Sequence, residues 1–341
     1  MSRRKSLGVV LFQLGGPDSL DSIEPFLLNL FRDPDIIDFP FAKIAREPLA
    51  RLISSSRAKR VRNHYAKIGG KSPILEFTKL QARALEVELQ KVCDAKVHIA
   101  MRYWHPLTKE AVLSVEQQLP EEVVLLPLYP QYSKTTTGSS LNEWERQIQI
   151  SPLGRVPTRT VREFYSYPGY LKAITSRINE SLTRFPLNEE VHFVFSAHSL
   201  PLRVVQGGDP YRDQIEKTVD LVLECGGWRY SHTLCYQSKV GASKWLQPSL
   251  HDTIYQLGIK KVRNVLVIPI AFVSDHVETL SEIEHEAREE AVHHGILQFE
   301  MMPGLNDSPE FIQALAELVL GEPIDANARN LYRKAVGSFT G

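Results

Sequence analysis

Cysteine is scarce in this chain: three residues of 341, at Cys93, Cys225 and Cys235. They form no C-x-x-C pair and are odd in number, which excludes a disulfide-built scaffold and a thiolate metal site and suits a reducing compartment. An excess of either charge is also missing. Forty Lys and Arg balance forty Asp and Glu and the isoelectric point is about 7.2, so no nucleic-acid partner is expected. No apolar run approaches the roughly 20 residues that span a bilayer. The start, MSRRKSLGVVLFQL, lacks a small-residue cleavage site and is stopped by Gly15-Gly16-Pro17, so it reads as a first strand and not as a signal peptide. The expected location is the cytoplasm. Absent too are the G-x-G-x-x-G of a dinucleotide site, the H-E-x-x-H of a helical zinc protease and the G-x-S-x-G of a nucleophile elbow.

What is present is an alternation. Short β-branched runs at 7–14, 97–102, 123–129 and 158–164 read as strands, and a second series follows at 191–199, 233–238, 265–273 and 299–302. Amphipathic stretches such as 74–92, 170–185, 211–224 and 277–293 fill the gaps, with Ser72 expected to cap the helix that Pro73 begins. Strands alternating with helices imply α/β architecture with parallel sheets covered on both faces. Two series of about four strands predict two similar halves, 1–165 and 166–305, then a helix and tail at 306–341 that can pack back on the first half. One region breaks the pattern. From 33 to 62 an apolar stretch with Ile36, Ile37, Phe39 and Phe41 precedes a basic helix with Arg57, Lys59, Arg60 and Arg62. It reads as a helical excursion on the core, or as an apolar lip for a greasy ligand or membrane surface.

In open parallel sheets ligands bind beyond the carboxyl ends of the strands. Those ends carry Leu14-Gly15-Gly16-Pro17, Arg102-Tyr103-Trp104-His105, Tyr129-Pro130-Gln131-Tyr132, His198 and Gln237-Ser238-Lys239, with Trp245 in the loop beyond. The hydroxyl-rich turn at 133–140 suits either an anion or simple capping. An imidazole such as His198 at the end of a buried strand is a candidate base or metal ligand, or a satisfied core residue. The seventh run leads into Ile270 to Glu286, where Asp275 and His276 precede Glu278, Glu282 and Glu286. Three carboxylates at four-residue spacing share one helix face and repel by a few tenths of a kcal/mol, roughly, per pair. They form either a solvated acidic helix or a path for a hard divalent cation.

Taken together, SAHSLP, GDPY, QSKVG with WLQP, and PIAFVSDHVETLSEI resemble the ferrochelatases, as do LGGP, IGGKSPI, RYWHP and YPQYSKTTTGSS in the first half. The resemblance runs from about Leu7 to about Leu320. It implies two Rossmann-like, chelatase-type halves, each a roughly four-stranded parallel sheet flanked by helices, with a porphyrin cleft between them. It implies that His198 and Glu278 are the pair for metal binding or pyrrole deprotonation, with Asp275, His276, Glu282 and Glu286 on a polar path beside them. Leu14, Tyr65, Ser72, Arg102, Tyr103, Tyr129, Tyr211 and Trp245 match pocket positions.

The substrates so implied are Fe(II) and protoporphyrin IX, the product protohaem, with no permanently bound cofactor. Animal members hold a [2Fe-2S] cluster on a cysteine-rich tail; this sequence lacks those cysteines and has Lys134 where a fourth ligand would stand, so no cluster is expected. The apolar lip favours a porphyrin with two propionates and suits peripheral membrane contact. Alternatives are a chelatase for another pair, such as coproporphyrin III with iron or a corrin precursor with cobalt, and a non-catalytic haem or metal carrier.

Overall fold

The structure, a computed structural model, describes residues 4–36, 42–187, 189–239 and 243–321. The apolar runs form two parallel sheets. The first contains β1 (Ser6–Gln13), β2 (Asp94–Met101), β3 (Glu122–Pro127) and β4 (Thr158–Thr160), in the order β2-β1-β3-β4. The second contains β5 (His192–His198), β6 (His232–Gln237), β7 (Asn264–Pro269) and β8 (Gln298–Met301), in the order β6-β5-β7-β8. The two orders are the same. Every residue of β7, and every residue of β1 after Ser6, is buried, as expected of strands covered on both faces.

Between β1 and β2 run α1 (Ile23–Arg32), α2 (Ala42–Lys67) and α3 (Ile74–Leu89); α4 (Thr108–Gln118) leads to β3 and α5 (Ser139–Ile148) follows it. In the second half α6 (Pro168–Leu182) precedes β5, α7 (Leu202–Gln206) and α8 (Tyr211–Gly226) lead to β6, and α9 (Leu250–Ile259) leads to β7. A π-helical segment, Glu278–Ala287, and α10 (Arg288–His293) lead to β8, and α11 (Pro309–Leu320) closes the described chain. On α3, Ile74, Thr78, Ala82, Leu85 and Leu89 recur at helical spacing and are buried.

One core runs through both halves. It contains Val9 and Leu11 of β1, Phe193 and Phe195 of β5, Ile174 and Ile178 of α6, and Phe311 and Leu315 of α11. Helix α11 packs on α6 and also on α3. The Phe164 and Tyr170 rings meet edge to face with centroids 5.2 Å apart, and Phe311 lies 6.5 Å from each.

One local expectation is borne out and one corrected. Pro73 is helical and accepts from the Phe77 amide (3.1 Å), and Ser72 Oγ accepts from the Ile74 amide (3.4 Å), the capping bond expected of a serine before a helix-starting proline. The Ser72 amide donates to Pro17 O (2.8 Å), and its side chain also fills the space beside Gly16, where an added Cβ would lie 2.5 Å away. The stretch 277–293, in contrast, is not one α-helix; ten of its residues are π-helical. Of the lip, Ile36 lies within the described residues, while Ile37, Phe39 and Phe41 lie outside them. Its helix α2 exposes Leu49 and Leu52.

Candidate active site

Parallel pairing brings the strand ends to one side of each sheet, with Gln13 beside Met101 and His198 beside Gln237. The residues after β7 and after β5 then meet. The His198 ring lies at the end of β5, and its Nδ1 stands 2.6 Å from Ser199 O. A carbonyl only accepts, so Nδ1 carries the proton and Nε2 is left facing outward. That Nε2 is 3.7 Å from Glu278 Oε1. His276 repeats the arrangement: Nδ1 donates to Ser274 O (3.1 Å), and Nε2 lies 3.8 Å from Glu278 Oε2. Both imidazoles thus turn the same nitrogen to one carboxylate. Glu278 Oε2 is enclosed and has no hydrogen-bond partner.

The electrostatics separate the carboxylates. Burial pushes Glu278 up, but the imidazoles of His198 and His276 outweigh it and hold the group below the usual carboxylate range. Burial, then the charge of Glu278, push Glu282 upward. Burial lowers His276, yet the hydrogen-bonding and charge influence of Glu278 raise it overall. The surroundings thus favour the ionised form of Glu278 and the protonated form of Glu282.

The row of acids is real and its members are held differently. An i→i+5 ladder winds with more residues per turn than the 3.6 of an α-helix, so four-residue spacing stays closer to one line. Glu282 Oε2 accepts from Ser238 Oγ (2.6 Å) and Gln237 Nε2 (3.3 Å), and Gln237 Nε2 also reaches Glu278 O (2.9 Å). Glu286 meets the lip helix, with His64 Nδ1 at 2.9 Å and Lys67 Nζ at 3.7 Å. Asp275 is committed elsewhere. Its carboxylate accepts from Gly304 N (3.1 Å), Asn306 Nδ2 (2.9 Å) and Thr279 Oγ1 (3.2 Å), which brackets the loop before Glu278 to the loop after β8. Among the described residues no three His, Cys, Asp or Glu side chains are grouped so as to hold a metal ion.

The first half supplies a different cluster. Arg102 follows β2 with its Nε donating to Ser139 Oγ (2.7 Å) and its guanidinium over the Tyr103 ring, 5.0 Å from the centroid. Tyr103 is fully buried and backs Arg102. Both converge on Asp33, at 3.0 Å from the guanidinium and 2.5 Å from the hydroxyl. Burial raises Asp33, but Arg102 and the hydroxyls of Ser139 and Tyr103 outweigh it and keep the group below its ordinary range.

Tyr65 is buried at the end of α2, and burial, then the charge of Glu278, push its hydroxyl up. Tyr211 is buried and donates to His198 O (3.0 Å), steadying the strand end. Tyr129 is pushed up by burial and lies beside Ser140. Leu14 packs with the α1 and α2 cluster, and Trp245 is half-buried, bridged to Pro201.

The turn at 133–140 holds a π-helical turn, Lys134–Gly138, whose first amide donates to Asp209 Oδ2 (2.7 Å). The anion at that N-terminus is the protein's own carboxylate. Sequence reasoning missed Asp209, Asp33, His64, Gln237 and Ser238 as partners; only Ser238, with a backbone φ of 65°, is unusual in itself.

Residues 6–322 match the family described as Ferrochelatase. A ferrochelatase of Aquifex aeolicus is 48% identical over 315 residues, covering 92% of this chain and 99% of its own. One of Gloeobacter violaceus is 45% identical over 320 residues, covering 92% and 97%. Among solved structures, "SirB from Bacillus subtilis with Fe3+" superimposes with a TM-score of 0.54 at 11% identity, covering 95% of this chain and 98% of its own, a likeness of fold.

Proposed function

The chain belongs to the ferrochelatase family of metal chelatases, which are lyases, and on that premise we propose that it inserts Fe(II) into protoporphyrin IX to form protohaem. The observation that carries the proposal is the enclosed carboxylate of Glu278, held between the Nε2 atoms of His198 and His276 at 3.7 and 3.8 Å. Pyrrole N–H groups are weak acids, and a flat macrocycle keeps its nitrogen lone pairs turned away from an approaching ion. A close-fitting wall that saddles the ring moves it part-way to the transition state, at a cost of roughly 1–5 kcal/mol. His198 Nε2 then accepts a pyrrole proton, and Glu278 stabilises the imidazolium that results. His276 supplies a second acceptor on the other carboxylate oxygen. Whichever proton leaves, Glu282 and Glu286 continue the polar row towards the lip helix.

In this reading the pocket is built from Leu14, Tyr65, Ser72, Arg102, Tyr103, Tyr129, Tyr211 and Trp245. Arg102, backed by Tyr103, forms the wall opposite His198, and the halves divide at about residue 165. Fe(II) is a substrate, and no resident cluster is needed. The lip, with Leu49 and Leu52 exposed beside a basic helix, favours the dicarboxylate porphyrin and suits peripheral contact with the cytoplasmic face of a membrane. No helix among the described residues is long and apolar enough to cross one.

Purified chain given Fe(II) and protoporphyrin IX without oxygen is expected to produce the protohaem absorption spectrum, faster than with coproporphyrin III. A preference for coproporphyrin III or for cobalt would reassign the substrate pair. Tight haem binding with no insertion would make the chain a carrier.

A further inference from the structure

We infer that Asp33 is a positioning residue: one buried carboxylate that fixes the pocket-wall Arg102 and the Tyr103 behind it and, with the same oxygens, the point where the chain leaves the core to build the lip. The inference rests on the reading above that Arg102 and Tyr103 belong to the porphyrin wall.

The Asp33 side chain is 0% exposed. Its Oδ1 takes the Arg102 guanidinium (3.0 Å) and the backbone N–H of Asp35 (2.9 Å), while Oδ2 takes the hydroxyls of Tyr103 (2.5 Å) and Ser139. Four donors thus come from three places: the end of β2, the start of α5 and the chain's own turn into the lip. Arg102 is gripped from two sides, since Ser139 also accepts from its Nε (2.7 Å). The neighbouring Asp35 binds the same helix, accepting from Asn142 Nδ2 (2.8 Å) and Arg146 (3.1 Å). The base of the lip therefore stands on α5 at two carboxylates, one of which also holds the wall.

Stability alone is a poor account of this arrangement. Taking an ion pair out of water costs about as much as the pair returns, and well-packed apolar side chains commonly serve as well. What a buried guanidinium–carboxylate pair supplies is a fixed orientation. Arg102 keeps 12% of its side chain exposed. A long, mobile side chain has been reduced to one geometry with a small part left to meet a ligand.

The test is porphyrin affinity, read by fluorescence quenching, together with steady-state insertion. Asp33→Asn keeps the shape and removes the nearer of the two charges that Arg102 answers, at 3.0 Å, leaving Glu143 at 3.9 Å. We expect the Kd for protoporphyrin IX to rise about fivefold to twentyfold, with KM following and kcat changing less than about threefold. Arg102→Met is expected to weaken binding similarly, and the double variant to bind no worse than Arg102→Met alone, because both changes remove one interaction. A folded Asp33→Asn with unchanged Kd, or two effects that multiply, would overturn the inference. If circular dichroism shows that Asp33→Asn does not fold, Ser139→Ala decides: Kd should rise about twofold to fivefold, and no rise overturns it. Unaltered chain that binds porphyrin but inserts no iron refutes the proposed function and leaves the Kd comparison standing. Chain that binds no porphyrin refutes both.

Discussion

At the carboxyl end of β2, Arg102 has its charge met by Asp33 at 3.0 Å, and Tyr103 and Ser139 bond to the same carboxylate. At the ends of β5 and β7, His198, His276 and Glu278 stand 3.7 and 3.8 Å apart, and one Glu278 oxygen is enclosed without a partner. The two sheets share a strand order, so topology does not make the difference. The side chains do. A saturated cluster holds a shape. An unsatisfied one carries a cost of about 1–3 kcal/mol per buried group, and the group left unpaired is free to take a proton or an ion. On the proposed reading, the Asp33 cluster holds and the Glu278 cluster reacts.

The sharpest way to break this contrast is at the reacting half. His198→Ala and Glu278→Gln should each lower turnover by about 10²–10⁴-fold, the range for losing a positioned acid–base group. Porphyrin affinity should change little, because the holding wall is untouched. Parallel measurements of insertion rate and porphyrin Kd check both parts, and near-normal turnover in either variant would show that the centre lies elsewhere.

The difference between the halves also decided what could be read in the sequence. The buried strands were legible because sheets covered on both faces demand continuous apolar runs such as VVLF and NVLVIPI. His198 and Glu278 were singled out because they sit in long motifs, and the structure brings their side chains to 3.7 Å. The π-helical winding was not legible: a four-residue acidic repeat fits an α-helix and a wider helix alike, and only the backbone bonds distinguish them. Asp33 was not legible either. In the run DPD nothing marks the first acid as buried, since its four donors include residues 70 and 106 positions away. Ser72 was legible as a cap, because a serine before a proline is an ordinary helix start; its contact with Gly16, across the fold, was not.

A second test asks whether holding and reacting halves are one folding unit. Phe311 on α11 is fully buried in the core that spans both sheets, beside Phe164 and Tyr170. Phe311→Ala should cost about 3–5 kcal/mol, the usual penalty for emptying a buried aromatic site. With the core continuous, urea unfolding should keep a single transition at a lower midpoint. Two separate transitions would mean that the halves are joined only loosely, and that each holds its own chemistry.

The smallest effect comes from a feature the halves share. Each places a histidine away from the carboxyl ends of its strands: buried His98 bonds Ser114 and Gln118, both at 2.9 Å, and half-buried His192, which begins β5, bonds Ser231 (2.8 Å) and Thr233 (2.9 Å). Burial lowers both, His192 to about 4. Above the ordinary histidine value of about 6.5 the ring is neutral folded or unfolded, and pH changes nothing there. As pH falls below it, the unfolded chain takes up the proton first, so the folded state loses stability until folded His192 itself protonates near 4. Melting temperature should therefore decline from pH 6.5 downward. His192→Gln, which keeps a hydrogen-bonding side chain that does not titrate, should flatten part of that decline while leaving the value at pH 8 nearly unchanged. An identical slope in the variant would show that His192 is free to protonate in the folded state. The parallel between the two histidines would then fail, and the halves would differ away from their strand ends as well as at them.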